Sequence, residues 1–135
     1  RSQKGSGMTP KLDLIGLVVK DMAATLTFYR LLGLPIPDEA EKERHVEITI
    51  GGMRIAWDTQ ELVTGFDPSR TFLDGKGRLG LAFRCDSPAD VDSFYATVTE
   101  AGYTGHKEPW DAFWGQRYAV IIDPDGNHID LFADV

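Results

Sequence analysis

At 135 residues the chain makes one domain, long enough to bury a real core. Its 14 basic and 21 acidic residues leave a formal net charge of −7, which argues against nucleic acid or an anionic membrane as partner. The single cysteine excludes an internal disulfide and a multi-cysteine zinc site and suits a reducing cytoplasm, and no apolar run approaches membrane length.

Residues 1–7 read as a linker remnant ahead of Met8, so the domain spans 8–135. Leu12 to Val19 is an apolar run, predicted as a buried strand. Asp21 is placed to cap a helix from about Met22 to Leu32, which Gly33 ends. His45 to Ile50 alternates, with Val46, Ile48 and Ile50 on one face, and Met53 to Asp58 follows a two-glycine turn, so the two make a hairpin. The stretch from about 59 to 77 holds glycines, a proline and mixed charges, as a linker should. Arg78 to Cys85 is again a strand. Ser87 caps the next helix, Pro88 takes its first position, and Val91, Phe94, Tyr95 and Val98 form its apolar stripe up to Gly102. Tyr118 to Ile122 and Asn127 to Phe132 flank Asp123-Pro124-Asp125-Gly126. In that tight turn Pro presets φ, Asp bonds its own backbone and Gly accepts φ > 0.

The two halves repeat. Leu17 and Phe83, Ala23 and Ala89, and Phe28-Tyr29 and Phe94-Tyr95 are all 66 residues apart, while Ile55 and Ile129 are 74 apart. The second copy thus carries eight extra residues, most simply around Trp110 to Gln116. Each module reads β-α-β-β-β, its first post-helix strand poorly marked. Module 1 runs from about 12 to 58 and module 2 from about 78 to 132. One helix per sheet leaves a second sheet face uncovered in each module. Two such faces can close around a shared concavity, a natural small-molecule site.

Leu17-Val18-Val19-Lys20-Asp21-Met22, Phe28-Tyr29-Arg30-Leu31-Leu32-Gly33 and Leu81-Ala82-Phe83-Arg84 carry a resemblance, as does Trp114-Gly115-Gln116-Arg117 running into Asp123-Pro124-Asp125-Gly126-Asn127. From Leu12 to Phe132 the chain resembles the vicinal oxygen chelate superfamily: the glyoxalases, bleomycin-resistance proteins and extradiol dioxygenases. The resemblance implies an α+β fold of paired βαβββ modules forming an open, cup-like barrel. Metal enzymes of this family place ligands at positions that correspond here to Leu14, Ala56, Gly80 and Asp130. Three of these have no side-chain lone pair to give, and a divalent ion needs three or four protein ligands. The reading is therefore no metal and no other cofactor. His128 with Asp130, and His45 with Glu47, share strand faces, but a site built from them needs a convergence the sequence does not show. His106 follows a turn and reads as surface.

The binding reading rests on aromatics. Trp110, Phe113 and Trp114 fall within five residues, in the segment that module 1 lacks. As flat, rigid surfaces they suit a planar ligand, a cationic one included. Strand parity places Arg54, Asp58, Asp130 and Phe132 beside Ala56 in the cup, and Arg84 beside Ala82 and Gly80. Trp57 has the opposite parity and reads as core, as does the thiol of Cys85. An inward Arg84 needs a partner, either Asp130 or a ligand carboxylate or carbonyl. No residue is assigned as catalytic, since the chain holds no Gly-x-Ser-x-Gly, no His-Glu-x-x-His and no phosphate-cradling loop. The expected function is binding and sequestering of a planar aromatic, antibiotic-like compound by a cytoplasmic, metal-free protein. The resemblance adds a homodimer with sites shared between subunits. The alternative is a lyase, isomerase or transferase of the superfamily that uses an atypical metal or none.

Overall fold

The structure, a computed structural model, describes residues 12–69, 71–72 and 79–135. The opening apolar run forms β1 (Leu14–Val19), and α1 (Met22–Leu31) follows at once. Asp21 sets that boundary: its backbone is extended and its carboxylate accepts from the Ala24 amide at 3.1 Å, pairing a donor the first turn leaves open. β2 (His45–Ile50) and β3 (Met53–Thr59) form an antiparallel hairpin. Gly51 and Gly52 take φ of 57° and 80°, the left-handed pair that a two-residue turn demands. β3 also runs parallel to β1, so the first sheet has the order β1-β3-β2.

Two expectations for module 1 are corrected. No strand follows α1 before β2; the chain passes instead through one 3₁₀ turn, Ala40–Lys42. Pro35 and Pro37 lack an N–H, so this stretch cannot supply a ladder. The stretch read as a linker begins as a helix, α2 (Gln60–Phe66), capped by Thr59, whose hydroxyl accepts from the Leu62 amide at 3.1 Å. α2 packs on β1 and β3 and buries Val63. Ala56, on the face of β3 opposite Ile55 and Trp57, is fully buried as well. Residues 70 and 73–78 of the expected linker lie outside the described residues.

Module 2 comprises β4 (Gly80–Arg84), α3 (Pro88–Glu100), β5 (Thr104–Ala112), β6 (Gln116–Ile122) and β7 (His128–Asp134), with sheet order β4-β7-β6-β5. The expected start of its first strand at Arg78 also lies outside the described residues. Ser87 caps α3 through the Asp90 amide, with Pro88 in the first turn. The strand register reproduces the repeat: Leu14 faces Arg54 and Gly16 faces Ala56, just as Gly80 faces His128 and Ala82 faces Asp130. The extra residues of module 2 do not form a loop around Trp110. β5 runs on to Ala112, and a short turn over Phe113-Trp114-Gly115 leads directly into β6. The added length sits within β5, whose pairing with β6 slips between Gly105 and Lys107 and again before Trp110. Pro109, with no N–H, falls in the second slip. Gly105 lets α3 seat closely, since a Cβ there would lie 2.2 Å from the Tyr95 hydroxyl.

The modules meet through their helices. α1 packs on α3, and the Phe28 ring meets Tyr103 edge-on at 5.2 Å. Thr25 and the Lys20 amide both donate to Asp125 at 2.9 Å. One core cluster joins Leu17, Phe28, Tyr29 and Trp57 to Val91, Val98, Ile129 and Leu131. Each such large apolar side chain stabilises the fold by about 1.5–3 kcal/mol on burial. Both sheets therefore give their helix-bearing faces to the shared core, and Arg54 and Asp58 of β3 and Asp130 and Phe132 of β7 lie on the alternate faces. No strand pairing joins the two sheets among the described residues, and no helix there is long and apolar enough to cross a membrane.

Candidate functional site

The face of the second sheet that α3 leaves uncovered carries one row of rings and a cation. Register places Trp110 of β5 opposite Tyr118 of β6, Tyr118 opposite Phe132 of β7, and Phe132 opposite Arg84 of β4. All four strands thus deliver a side chain to the same row. Ring centroids lie 5.6 Å apart for Trp110–Tyr118 and 6.1 Å for Tyr118–Phe132, the latter stacked. The Arg84 guanidinium sits 4.8 Å from the Phe132 ring centre, and the Lys107 ammonium 4.8 Å from that of Trp110. The hairpin turn folds Trp114 edge-on against Trp110 and Tyr118, at 6.1 and 5.4 Å. Phe113 stands 5.1 Å from Trp114 and is 97% exposed.

A polar rim fixes these rings. Tyr118 donates to Asp130 at 2.5 Å, and burial, then this carboxylate, pushes the phenol up to about 12. Trp114 Nε1 donates to Gln116, Gln116 donates to Asp134, and Arg84 donates to the other oxygen of Asp134 at 3.2 Å. The partner of Arg84 in the single chain is therefore Asp134, not Asp130, one of the two partners considered from the sequence. β7 extends two residues beyond the predicted strand end at Phe132, which is how Asp134 was missed. Tyr118 carried a readable signal: it shares parity with Val120 and Ile122, opposite to buried Ala119 and Ile121. His128 and His106 are both exposed, their rings 4.8 Å apart.

Arg54 and Asp58 belong to the other sheet. There His45 bonds Asp58 through Nδ1 and Glu47 through Nε2, the latter at 3.2 Å. Arg54 grips Glu47 with two nitrogens at 2.8 and 2.7 Å and also reaches Asp13. The hydrogen bond to Asp58 raises the His45 pKa above its ordinary value; burial opposes it, and the bond to Glu47 adds to the rise, while Arg54 and His45 hold Glu47 below the usual carboxylate range. Every hydrogen bond and ion pair of Arg54 and Asp58 stays within module 1. Of the eight predicted site residues, six gather on the second sheet and two on the first. Trp57 and Cys85 are buried in the core cluster, and burial raises the Cys85 thiol pKa.

Two sheets whose first and last strands repeat in the same parallel register define a paired-module α+β protein, with α2 added against β1 and β3 of the first module and an open sheet face on the second. The chain belongs to the Glyoxalase/Bleomycin resistance protein/Dioxygenase superfamily, which it matches over residues 11–131. It is 30% identical over 125 residues to an uncharacterised protein of Mycobacterium tuberculosis (strain ATCC 25618 / H37Rv), covering 85% of this chain and 69% of that one. Its fold is similar to a glyoxalase-related enzyme from Fulvimarina pelagi, with a TM-score of 0.78, 16% identity and coverage of 93% and 89%. A hypothetical protein of S. aureus gives a TM-score of 0.75, 22% identity and coverage of 94% and 95%.

The residues do not fit the metal that many members of this superfamily hold. Leu14, Ala56 and Gly80 offer no side-chain donor atom, and Asp130 is engaged by Tyr118. Among the described residues, no group of three or more His, Cys, Asp or Glu is arranged to hold a metal ion.

Proposed function

We propose that this protein binds a planar aromatic small molecule without a metal and holds it unchanged. The observation that carries this reading is the continuous row Trp110–Tyr118–Phe132, open on a sheet face and roofed at one end by Trp114. The stacked Tyr118–Phe132 pair and the edge-on Trp110 and Trp114 beside it offer a flat ligand both stacking and edge contacts at little entropic cost. Arg84 and Lys107 already rest on two of the rings, so a cationic ligand would have to displace one of them. That favours a neutral or acid-bearing ligand, whose carboxylate or carbonyl Arg84 can meet after turning from Asp134.

We further infer that a second copy completes the cup. The modules pack through α1 and α3, the aromatic row stays uncovered within the single chain, and Phe113 and Trp114 remain exposed on the hairpin tip. A homodimer that faces module 1 of one copy with module 2 of the other would bring Arg54, Asp58 and His45 opposite the aromatic row. The cytoplasm fits such a role and the single cysteine. A second reading, an enzyme of the superfamily without its usual metal, is supported by His45, an imidazole held between Asp58 and Glu47 with its proton favoured, as a general acid would be.

The test is an equilibrium titration by tryptophan fluorescence against a panel of planar aromatic antibiotics, with and without a chelator, followed by mass analysis of the recovered compound. Saturable, chelator-insensitive binding with the compound unchanged supports sequestration. Conversion of the compound supports the enzyme reading.

A further inference from the structure

A second concavity lies on the other side of β4 from the aromatic row. It encloses about 320 Å³ at the junction of the modules. Leu34 and Ile50 of module 1 and Phe83, Phe94 and Leu131 of module 2 wall it. Its size, at the small end of the range, and its place between two modules match those of small-molecule sites, and its lining is shared between apolar and polar atoms. The core cluster surrounds it, so the space persists where the two modules fail to fill their shared junction.

Its polar character is one-sided. Asp86 and Asp90 line the crevice, and neither carboxylate makes a hydrogen bond or ion pair with another described residue. Arg84 also borders it, but its guanidinium is held over Phe132 and on Asp134, on the opposite face of β4. Cys85 contributes a buried thiol, which burial, then the charges of Asp90 and Asp86, keep protonated. It is an apolar packing surface there, not a nucleophile. The net charge of −7 concentrates cations around the molecule as a whole.

We propose that this crevice is a binding site for a small organic cation: one ring or a short branched chain against Phe83, Phe94 and Leu131, with a protonated amine toward Asp86 and Asp90. The inference rests on the cavity and on the charge of its lining. It is independent of the aromatic row.

The probe is phenethylammonium, with uncharged 2-phenylethanol as its near-isostere. Calorimetric titration should show one saturable site per chain, with the ammonium compound tighter than the alcohol by at least about fivefold. The double substitution Asp86→Asn with Asp90→Asn, whose fold is checked by its thermal unfolding, should weaken the probe by a similar factor. Phe94→Trp should fill the space and block it. Trp110→Ala with Trp114→Ala should leave it unchanged, which separates this site from the aromatic row. No saturable binding, equal affinity for the alcohol, or loss on Trp110→Ala with Trp114→Ala each overturns the proposal.

Discussion

Tyr29 donates a buried 2.7 Å hydrogen bond to Asp123, joining α1 of the first module to the β6–β7 turn of the second. The same carboxylate accepts from the amides of Asp125 and Asn127 and from the Asn127 side chain, so it both shapes its own turn and anchors the junction. Burial, reinforced by Asp123, raises the Tyr29 pKa far above its ordinary range, so this phenol stays a donor.

Tyr29→Phe keeps the ring against Trp57 and removes only the hydroxyl. The bond goes to a charged group, so the expected loss is about 1.5–3 kcal/mol, read from urea unfolding. An unchanged midpoint would mean the junction does not depend on this contact.

His45 supplies a pH test. Its pKa is raised from 6.5 by Asp58 first and Glu47 next, so the folded state holds the proton more tightly than the unfolded chain. The stability this adds is fully present below pH 6.5 and is lost as pH rises through the raised value. The imidazole C–H resonances should titrate above 6.5, and Asp58→Asn should move the midpoint down. A midpoint at or below 6.5 in both proteins would remove the ion pair from the account.

Metal analysis after dialysis should find no stoichiometric divalent ion, and a chelator should leave thermal unfolding unchanged. Stoichiometric metal that disappears in Asp130→Ala would contradict the donor argument.

Self-association has its own prediction. Phe113 is 97% exposed in the single chain, so Phe113→Ser should change folding stability by no more than about 0.5 kcal/mol. If a second copy covers the hairpin tip, the same substitution should weaken the dimer in sedimentation. A wild-type protein that sediments as a monomer at all concentrations would refute the shared cup.

Much of this architecture could be read from the sequence, because the repeat left paired marks. Leu17 with Phe83 and Ile55 with Ile129 carry the offsets that the strand register reproduces. Caps at Asp21 and Ser87 and the two-glycine turn are local signals that local physics obeys. The helix α2 was hidden because its cap, Thr59, sits directly on the end of β3 and its seven residues show too little periodicity. Pro35 and Pro37 were visible, yet the repeat argued for a strand, and the missing donors prevailed. The site divided for a different reason. Alternation told which side of β3 carries Arg54 and Asp58, and which side of β7 carries Asp130. It could not tell whether the modules join helix to helix or sheet to sheet, since both arrangements bury one face per strand. Arg84 found Asp134 instead of Asp130 because strand length, the least legible quantity, decided the partner.

The most direct test of the account is the affinity of a panel-selected planar aromatic ligand for Trp110→Ala and Trp114→Ala, measured by calorimetry beside Cys85→Ser. Removing a stacking tryptophan that the ligand buries should cost about 1–3 kcal/mol, roughly 5- to 150-fold in affinity. Cys85→Ser, on the other side of β4, should bind as the unaltered protein does. If both tryptophan variants retain full affinity, the ring row is only structural, and the binding function assigned to it is wrong.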